Sequence, residues 1–250
     1  MTYERFAYVY DFLMEDVPYG EWLAFFRRHT SALSGKKVLD LACGTGEFTW
    51  RLAEAGWDVT GADLSDSMLL AARQKMDSKG LTIPLFQQDM RSLEDLGLFD
   101  AVTIFCDSLN YLTEEEDIKR AFQGVKKHLK PGGSLLFDVH SLYKMRAIFK
   151  DGTFTAVDDS VSYIWNCFDG EYPDSVEHEL TFFVREDKLG LYERFDELHV
   201  QRAFAIEQYK AWLEEAGFTN IAITADFTDQ PPDEASERIF FSCTSGSVRP

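Results

Sequence analysis

The sequence predicts an α/β fold built on a doubly wound sheet, with an antiparallel β insertion. Three observations predict it. Short apolar runs alternate with stretches of helical spacing from residue 36 to about 150. A glycine turn follows the first of those runs, and from Phe154 to Phe204 the hydrophobic period changes to two.

At the start, Tyr3, Phe6, Tyr10, Leu13 and Met14 recur at helical spacing. Pro18-Tyr19-Gly20 interrupts the pattern, and Glu21 to Arg28 resumes it. Two short helices over residues 1–30 are therefore expected ahead of the first strand. Val38, Leu39 and Leu41 read as the interior of a fully buried strand. Phe48, Leu52 and Ala53 then give a helix ending at Gly56. Trp57 to Ala62 is the second strand, closed by Asp63. Ser65 is placed to cap a helix running through Met68, Leu69, Ala72 and Met76 to Gly80.

Ile83 to Gln88 reads as the third strand, ending at Asp89-Met90. Phe99 to Cys106 is an apolar strand leading into Asp107-Ser108-Leu109-Asn110-Tyr111. Thr113 and Glu116 have capping-box spacing for a helix to His128, and Lys130-Pro131-Gly132-Gly133 reads as its stop. Ser134 to Val139 is the fifth strand, which delivers Asp138, His140 and Ser141 to the end of the sheet.

In the insertion, Ser160 to Phe168, Glu177 to Arg185 and Tyr192 to Phe204 alternate apolar with polar residues, separated by Asp169-Gly170, Pro173-Asp174 and Lys188-Leu189-Gly190. Glu207 to Ala216 is the last helix, and Phe218 to Phe227 with Arg238 to Thr244 the last strand pair. Three parts result: a helical segment 1–30, an α/β domain of 31–150 with 205–250, and a β cap of 151–204.

The chemistry concentrates where the first strand meets its turn. Gly44 and Gly46 permit positive φ and let a ligand lie against the backbone, and a helix N-terminus follows. A dinucleotide fingerprint would need a third glycine at Thr49. Asp40, just before the turn, would repel a pyrophosphate but suits an ammonium or sulfonium group. Asp63 stands about 20 residues on, where a strand-end carboxylate accepts from ribose hydroxyls. Adenosine joined to a cation points to S-adenosylmethionine.

The segments VLDLACGTGEFTWRLAEAG, VTGADLSDSML, QQDMRSL, FDAVTIFCDSLNYL and LKPGGSLLFDV, in this order, resemble class I S-adenosylmethionine-dependent methyltransferases, and YqeM-like methyltransferases most in overall look. The cap is similar to that of sugar amino-N-methyltransferases. The resemblance implies a Rossmann-like sheet, mostly parallel with an antiparallel last strand. It makes the N-terminal helices a flap, with Tyr10 or Tyr3 near the methionine carboxylate. It sets Leu64 and Met68 beside the adenine, Asp89 as acceptor for the adenine amino group, and the backbone N–H of Met90 against a ring nitrogen. It also implies that the cap covers the acceptor pocket and carries a homodimer contact, with Tyr163, Trp165, Phe182, His178, His199 and Arg202 as candidate lining residues.

Asp107, Ser108, Asn110, Tyr111 and His140 fall at carboxyl ends of strands, where methyl and acceptor should meet. His140 and Asp107 are the candidate catalytic pair, as base and as carboxylate that sheds or relays a proton. The expected function is methyl transfer to nitrogen or oxygen of a small molecule, with no metal required. Protein or tRNA methylation is an alternative, as is a binding module without turnover.

Composition narrows these choices. A chain of 250 residues with 45% hydrophobic residues and 21 Phe can build a substantial core. The formal net charge of −18 disfavours nucleic acid and anionic membranes as partners. Cys43, Cys106, Cys167 and Cys243 form no C-x-x-C pair and read as reduced thiols. No run is long and apolar enough to span a membrane, so a soluble cytoplasmic protein is expected.

Overall fold

A computed structural model describes residues 9–186 and 190–246. Tyr3, Phe6, the Lys188-Leu189 turn and the C-terminal tail lie outside those residues. After helical residues 9–13 come helix α1 (Tyr19–Thr30), strand β1 (Lys37–Leu41), α2 (Glu47–Glu54), β2 (Asp58–Asp63), α3 (Asp66–Ser78) and β3 (Leu85–Gln87). Then follow β4 (Phe99–Ile104), α4 (Glu115–His128), β5 (Leu129–His140), β6 (Thr153–Val157), β7 (Val161–Asp169), β8 (Ser175–Glu186), β9 (Leu191–Arg202), α5 (Ile206–Glu215), β10 (Phe218–Ala225) and β11 (Arg238–Ser245).

Seven strands form one sheet in the order β10-β11-β5-β4-β1-β2-β3, and β6 to β9 form a separate antiparallel sheet in sequence order. Pairings β1 to β2, β1 to β4, β2 to β3 and β4 to β5 are parallel, whereas β11 runs antiparallel to both β5 and β10. The unbroken apolar runs in β1 and β4 are explained by helices on both faces. Successive residues divide between two cores. Leu39, Leu135 and Phe241 join Phe122 of α4 and Trp212 of α5. Val38, Leu136 and Phe240 join Trp22, Phe25 and Phe26 of α1 on the other side. Among the described residues, no helix is long and apolar enough to cross a membrane.

Several local expectations are corrected. The third strand is only Leu85–Gln87, because it is an edge strand paired with β2 alone. The Thr113 capping box does not form: α4 starts after Glu114 with no side-chain cap, and the Thr113 carbonyl instead accepts from Arg202 Nη1 at 2.7 Å. Lys130 to Gly133 is not a separate turn but the irregular start of β5, where the register against β4 shifts and Lys130 Nζ bonds both oxygens of Asp100. The cap has a fourth strand, β6, whose partner is β7.

Candidate active site

The glycine turn forms as a tight left-handed sequence, with φ of 59° at Ala42, 53° at Gly44 and 78° at Gly46. Asp63, at the end of β2, locks it: one carboxylate oxygen accepts the Gly44 N–H and the other the Ser65 N–H, both at 2.8 Å. The Ser65 hydroxyl in turn accepts from the N–H of Met68 and caps α3. Above this turn lies a cavity of about 910 Å³, within the range of small-molecule sites. Tyr10, Gly44, Asp63, Leu64, Met68, Asp89 and Met90 all line it, as does Gln88, which the sequence reading used only as a strand end.

Gly46 does not line the cavity. A Cβ there would come within 2.8 Å of Met76 Cε and 3.2 Å of Ala72 Cβ, so this glycine lets α2 and α3 approach. Asp89 is engaged by Arg91, whose Nε lies 2.9 and 3.0 Å from its two oxygens; these bonds hold the Asp89 carboxyl below its usual range. Leu64 is 60% exposed and Met68 nearly buried, giving one loose and one fixed apolar wall.

Asp40 also stays out of the large cavity. It faces a narrow recess behind the glycine turn, which shares Tyr10, Ala42, Gly44 and Ser108 with the cavity wall. Its oxygens accept from the hydroxyls of Thr49, at 2.6 Å, and Thr103, at 2.9 Å, joining α2 and β4 to β1. Burial pushes its carboxyl up to about 6, against the pull of those two hydroxyls. Thr49, the residue in the place of a third glycine, is thus the partner of this acid. Burial also raises Asp63 and the Tyr10 hydroxyl.

Beyond β4 the chain turns through two more left-handed residues, Cys106 at φ 55° and Asp107 at φ 52°. Their consecutive N–H groups both point at the Asp138 carboxylate, at 2.9 and 3.1 Å. Trp22 Nε1 donates to it at 2.8 Å, and Arg238 Nη1 completes the set. Arg238 Nη2 then reaches Asp107 at 2.9 Å, where Gln201 Nε2 of β9 also donates at 2.9 Å. His140 Nε2 stands 3.3 Å from the same carboxylate.

The two candidate catalytic residues are neighbours, but neither lines the cavity, and His140 beneath its wall is only 5% exposed. Burial opposes ionisation of Asp107, yet His140 and the Arg238 guanidinium hold its carboxyl well below the usual range. For His140 burial dominates and lowers its basicity, despite Asp107. Arg238 was missed; its only sequence signal is a lone cation opening the apolar run Ile239-Phe240-Phe241.

Cap residues close the far end of the cavity. His199 of β9 and Tyr111 face each other edge to face, with Tyr111 Oη 3.4 Å from His199 Nδ1, and both line the space. Trp165 and His178 bond to each other at 3.0 Å, and Phe182 lies in the apolar core under the cap sheet. Arg202 directs its guanidinium to the carbonyls of Pro173 and Thr113.

These residues suit an adenosyl sulfonium ligand. Asp63 keeps lone pairs beyond the two N–H bonds it accepts, enough for vicinal hydroxyls. Gly44 leaves the floor open, since a Cβ there would project to 3.9 Å from Tyr10 Cε1. The sheet order and this site fit the fold and the cofactor that the sequence resemblance implies.

Comparison with known proteins narrows the class. Residues 38–133 match the family model described as "Methyltransferase domain". The chain is 48% identical over 242 residues to "Putative methyltransferase YqeM" of Bacillus subtilis, covering 96% of each. An S-adenosylmethionine-dependent methyltransferase from Clostridium acetobutylicum superposes with a TM-score of 0.88 at 34% identity, over 99% of this chain and 100% of that one. The sugar N-methyltransferase KedS8 from Streptoalloteichus shares the fold, with a TM-score of 0.76 at 23% identity over 96% and 93% of the two chains. The chain belongs to the YqeM-like family of S-adenosylmethionine-dependent methyltransferases, and S-adenosylmethionine is its cofactor.

Proposed function

We propose that the protein methylates a nitrogen or oxygen of a small polar molecule bound between the cap and the glycine turn. Closure of the acceptor side carries this reading. Gln201 and Arg202 fasten the end of β9 to Asp107 and Thr113, so His199 and Tyr111 form a wall where a macromolecular acceptor would need a groove. The net charge of −18 further opposes tRNA. The kinship in fold with a sugar N-methyltransferase agrees with a small acceptor.

When bound, the cofactor supplies a methyl group already activated on a positively charged sulfur. Asp63 would hold the ribose hydroxyls, Leu64 and Met68 would flank the base, the Met90 backbone N–H would meet a ring nitrogen, and Asp89 would accept from the amino group. Asp40, in the recess shared with Tyr10 and Gly44, favours the positive end of the ligand. The remaining work is alignment and exclusion of water. His140, buried beneath the wall, receives the acceptor's proton by relay and not by direct contact. Ionised Asp107 keeps the imidazole hydrogen on Nε2, which leaves the buried Nδ1, without a hydrogen-bond partner among the described residues, as the base. Arg238 serves as a positioning residue, since it holds Asp107 ionised.

The test is transfer of labelled methyl from S-adenosylmethionine to small amines and hydroxylated compounds, with protein and RNA fractions assayed separately. Label in the small-molecule fraction supports the reading; label confined to protein or RNA overturns it. Asp63→Ala is expected to weaken S-adenosylhomocysteine binding by about 1.5–3 kcal/mol, one charged hydrogen bond, as read by calorimetry.

A further inference from the structure

Along β9, Phe195, Glu197, His199 and Gln201 share one face of the strand. That face is the inner one: Phe195 stacks on the fully buried Phe182 at 5.1 Å, His199 lines the cavity, and Gln201 reaches Asp107. Glu197 therefore points under the cap, and it is 6% exposed. Its Oε1 is buried with no hydrogen-bond partner, and no lysine or arginine pairs with it among the described residues. Its cross-strand neighbour is Leu180, which packs with Met68, Val9 and Phe182.

An unpaired carboxylate in such surroundings costs several kcal/mol when charged, and a purely structural residue would be better replaced by an aliphatic one. The inward β8 imidazole of His178 is committed to Trp165 Nε1 through Nδ1. Glu197 lies two residues, about 7 Å, along the strand from the cavity-lining His199.

The geometry points to Glu197 as the acceptor-binding residue, a subsite under the cap that holds a cationic amine group of the small molecule to be methylated. This rests on the methyltransferase reading for the identity of its ligand. An ammonium supplies the counter-charge that the fold leaves out, and the overall negative charge of the protein draws such acceptors in.

The test uses methylammonium as probe and methanol as neutral control. Each is titrated into the S-adenosylhomocysteine complex of the full chain by NMR, at high salt to screen loose surface association. Wild type should bind methylammonium and ignore methanol, while Glu197→Gln should bind the cation roughly tenfold or more weakly with unchanged S-adenosylhomocysteine affinity. Equal methylammonium binding by both proteins, no binding by wild type, or equal binding of methanol overturns the subsite. Glu197→Leu provides an independent measure. Its Tm should rise, because an uncompensated buried acid is removed, and a lower Tm would mark Glu197 as structural. Failure of S-adenosylhomocysteine to bind wild type would sink the cofactor assignment instead, and the probe comparison repeated without it would still decide Glu197.

Discussion

At the scale of single residues, Asp40 shows how burial changes what a motif position does. The acid before the glycine turn holds two hydroxyls in place and titrates near 6 instead of near 4. Its native form binds the extra proton between those values. Stability from this group is therefore complete below about pH 4 and lost as pH rises through about 6. A rise from near 4 to about 6 corresponds to roughly 3 kcal/mol at most. Asp40→Asn should thus gain on wild type by about 1–3 kcal/mol between about pH 4.5 and pH 7.5, measured by chemical denaturation at both. A difference independent of pH would show that Asp40 titrates normally. Asp107 has the opposite sign: Arg238 keeps it charged, so its contribution is present at neutral pH and fails only in acid.

Among elements, the helical residues 9–13 are held onto the glycine turn by one small network. Asp11 Oδ1 accepts from the Thr45 hydroxyl at 2.5 Å and from Lys75 Nζ at 2.8 Å. Lys75 also reaches Glu47 at 2.7 Å, joining this segment to α2 and α3. Tyr10 rides on the fastened segment and lines the cavity. Lys75→Met should therefore weaken S-adenosylhomocysteine binding by about 1 kcal/mol, roughly fivefold, while barely changing Tm. Unchanged affinity by calorimetry would show that the segment needs no such fastening. The left-handed pair Cys106 and Asp107 makes a comparable device at the end of β4, where strained backbone turns two N–H groups onto Asp138.

For the whole molecule, the joint between cap and sheet matters most, and Asn110 sits in it fully buried. Its Nδ2 donates to the Arg202 carbonyl at the end of β9, and its Oδ1 accepts the His140 N–H at the end of β5, both at 2.9 Å. Asn110→Ala leaves both backbone groups unpaired and should cost about 2–4 kcal/mol in denaturation experiments. If His199 and Tyr111 form the acceptor wall as proposed, methyl transfer should fall more than cofactor binding, because the joint holds the end of β9 and not the glycine turn. Equal loss of both would mean that the cap also organises the cofactor half.

The strand and helix order, the glycine turn, Asp63 and the shift to an antiparallel insertion were legible in the chain itself. Each depends on local properties: side-chain period, backbone freedom at glycine, and the direction in which a strand end presents its acid. That Asp63, Leu64, Met68, Asp89 and Met90 would line one cavity was readable for the same reason, since they lie on or just after strand ends. Only the tertiary structure decided the rest. It withdrew Asp40 and Gly46 from the cavity wall, brought Arg238 to Asp107 across 131 positions, and left Glu197 Oε1 buried under the cap without a hydrogen-bond partner among the described residues. Those outcomes rest on burial and on charges from distant segments meeting in a low-dielectric interior, and neither is encoded in any local spacing.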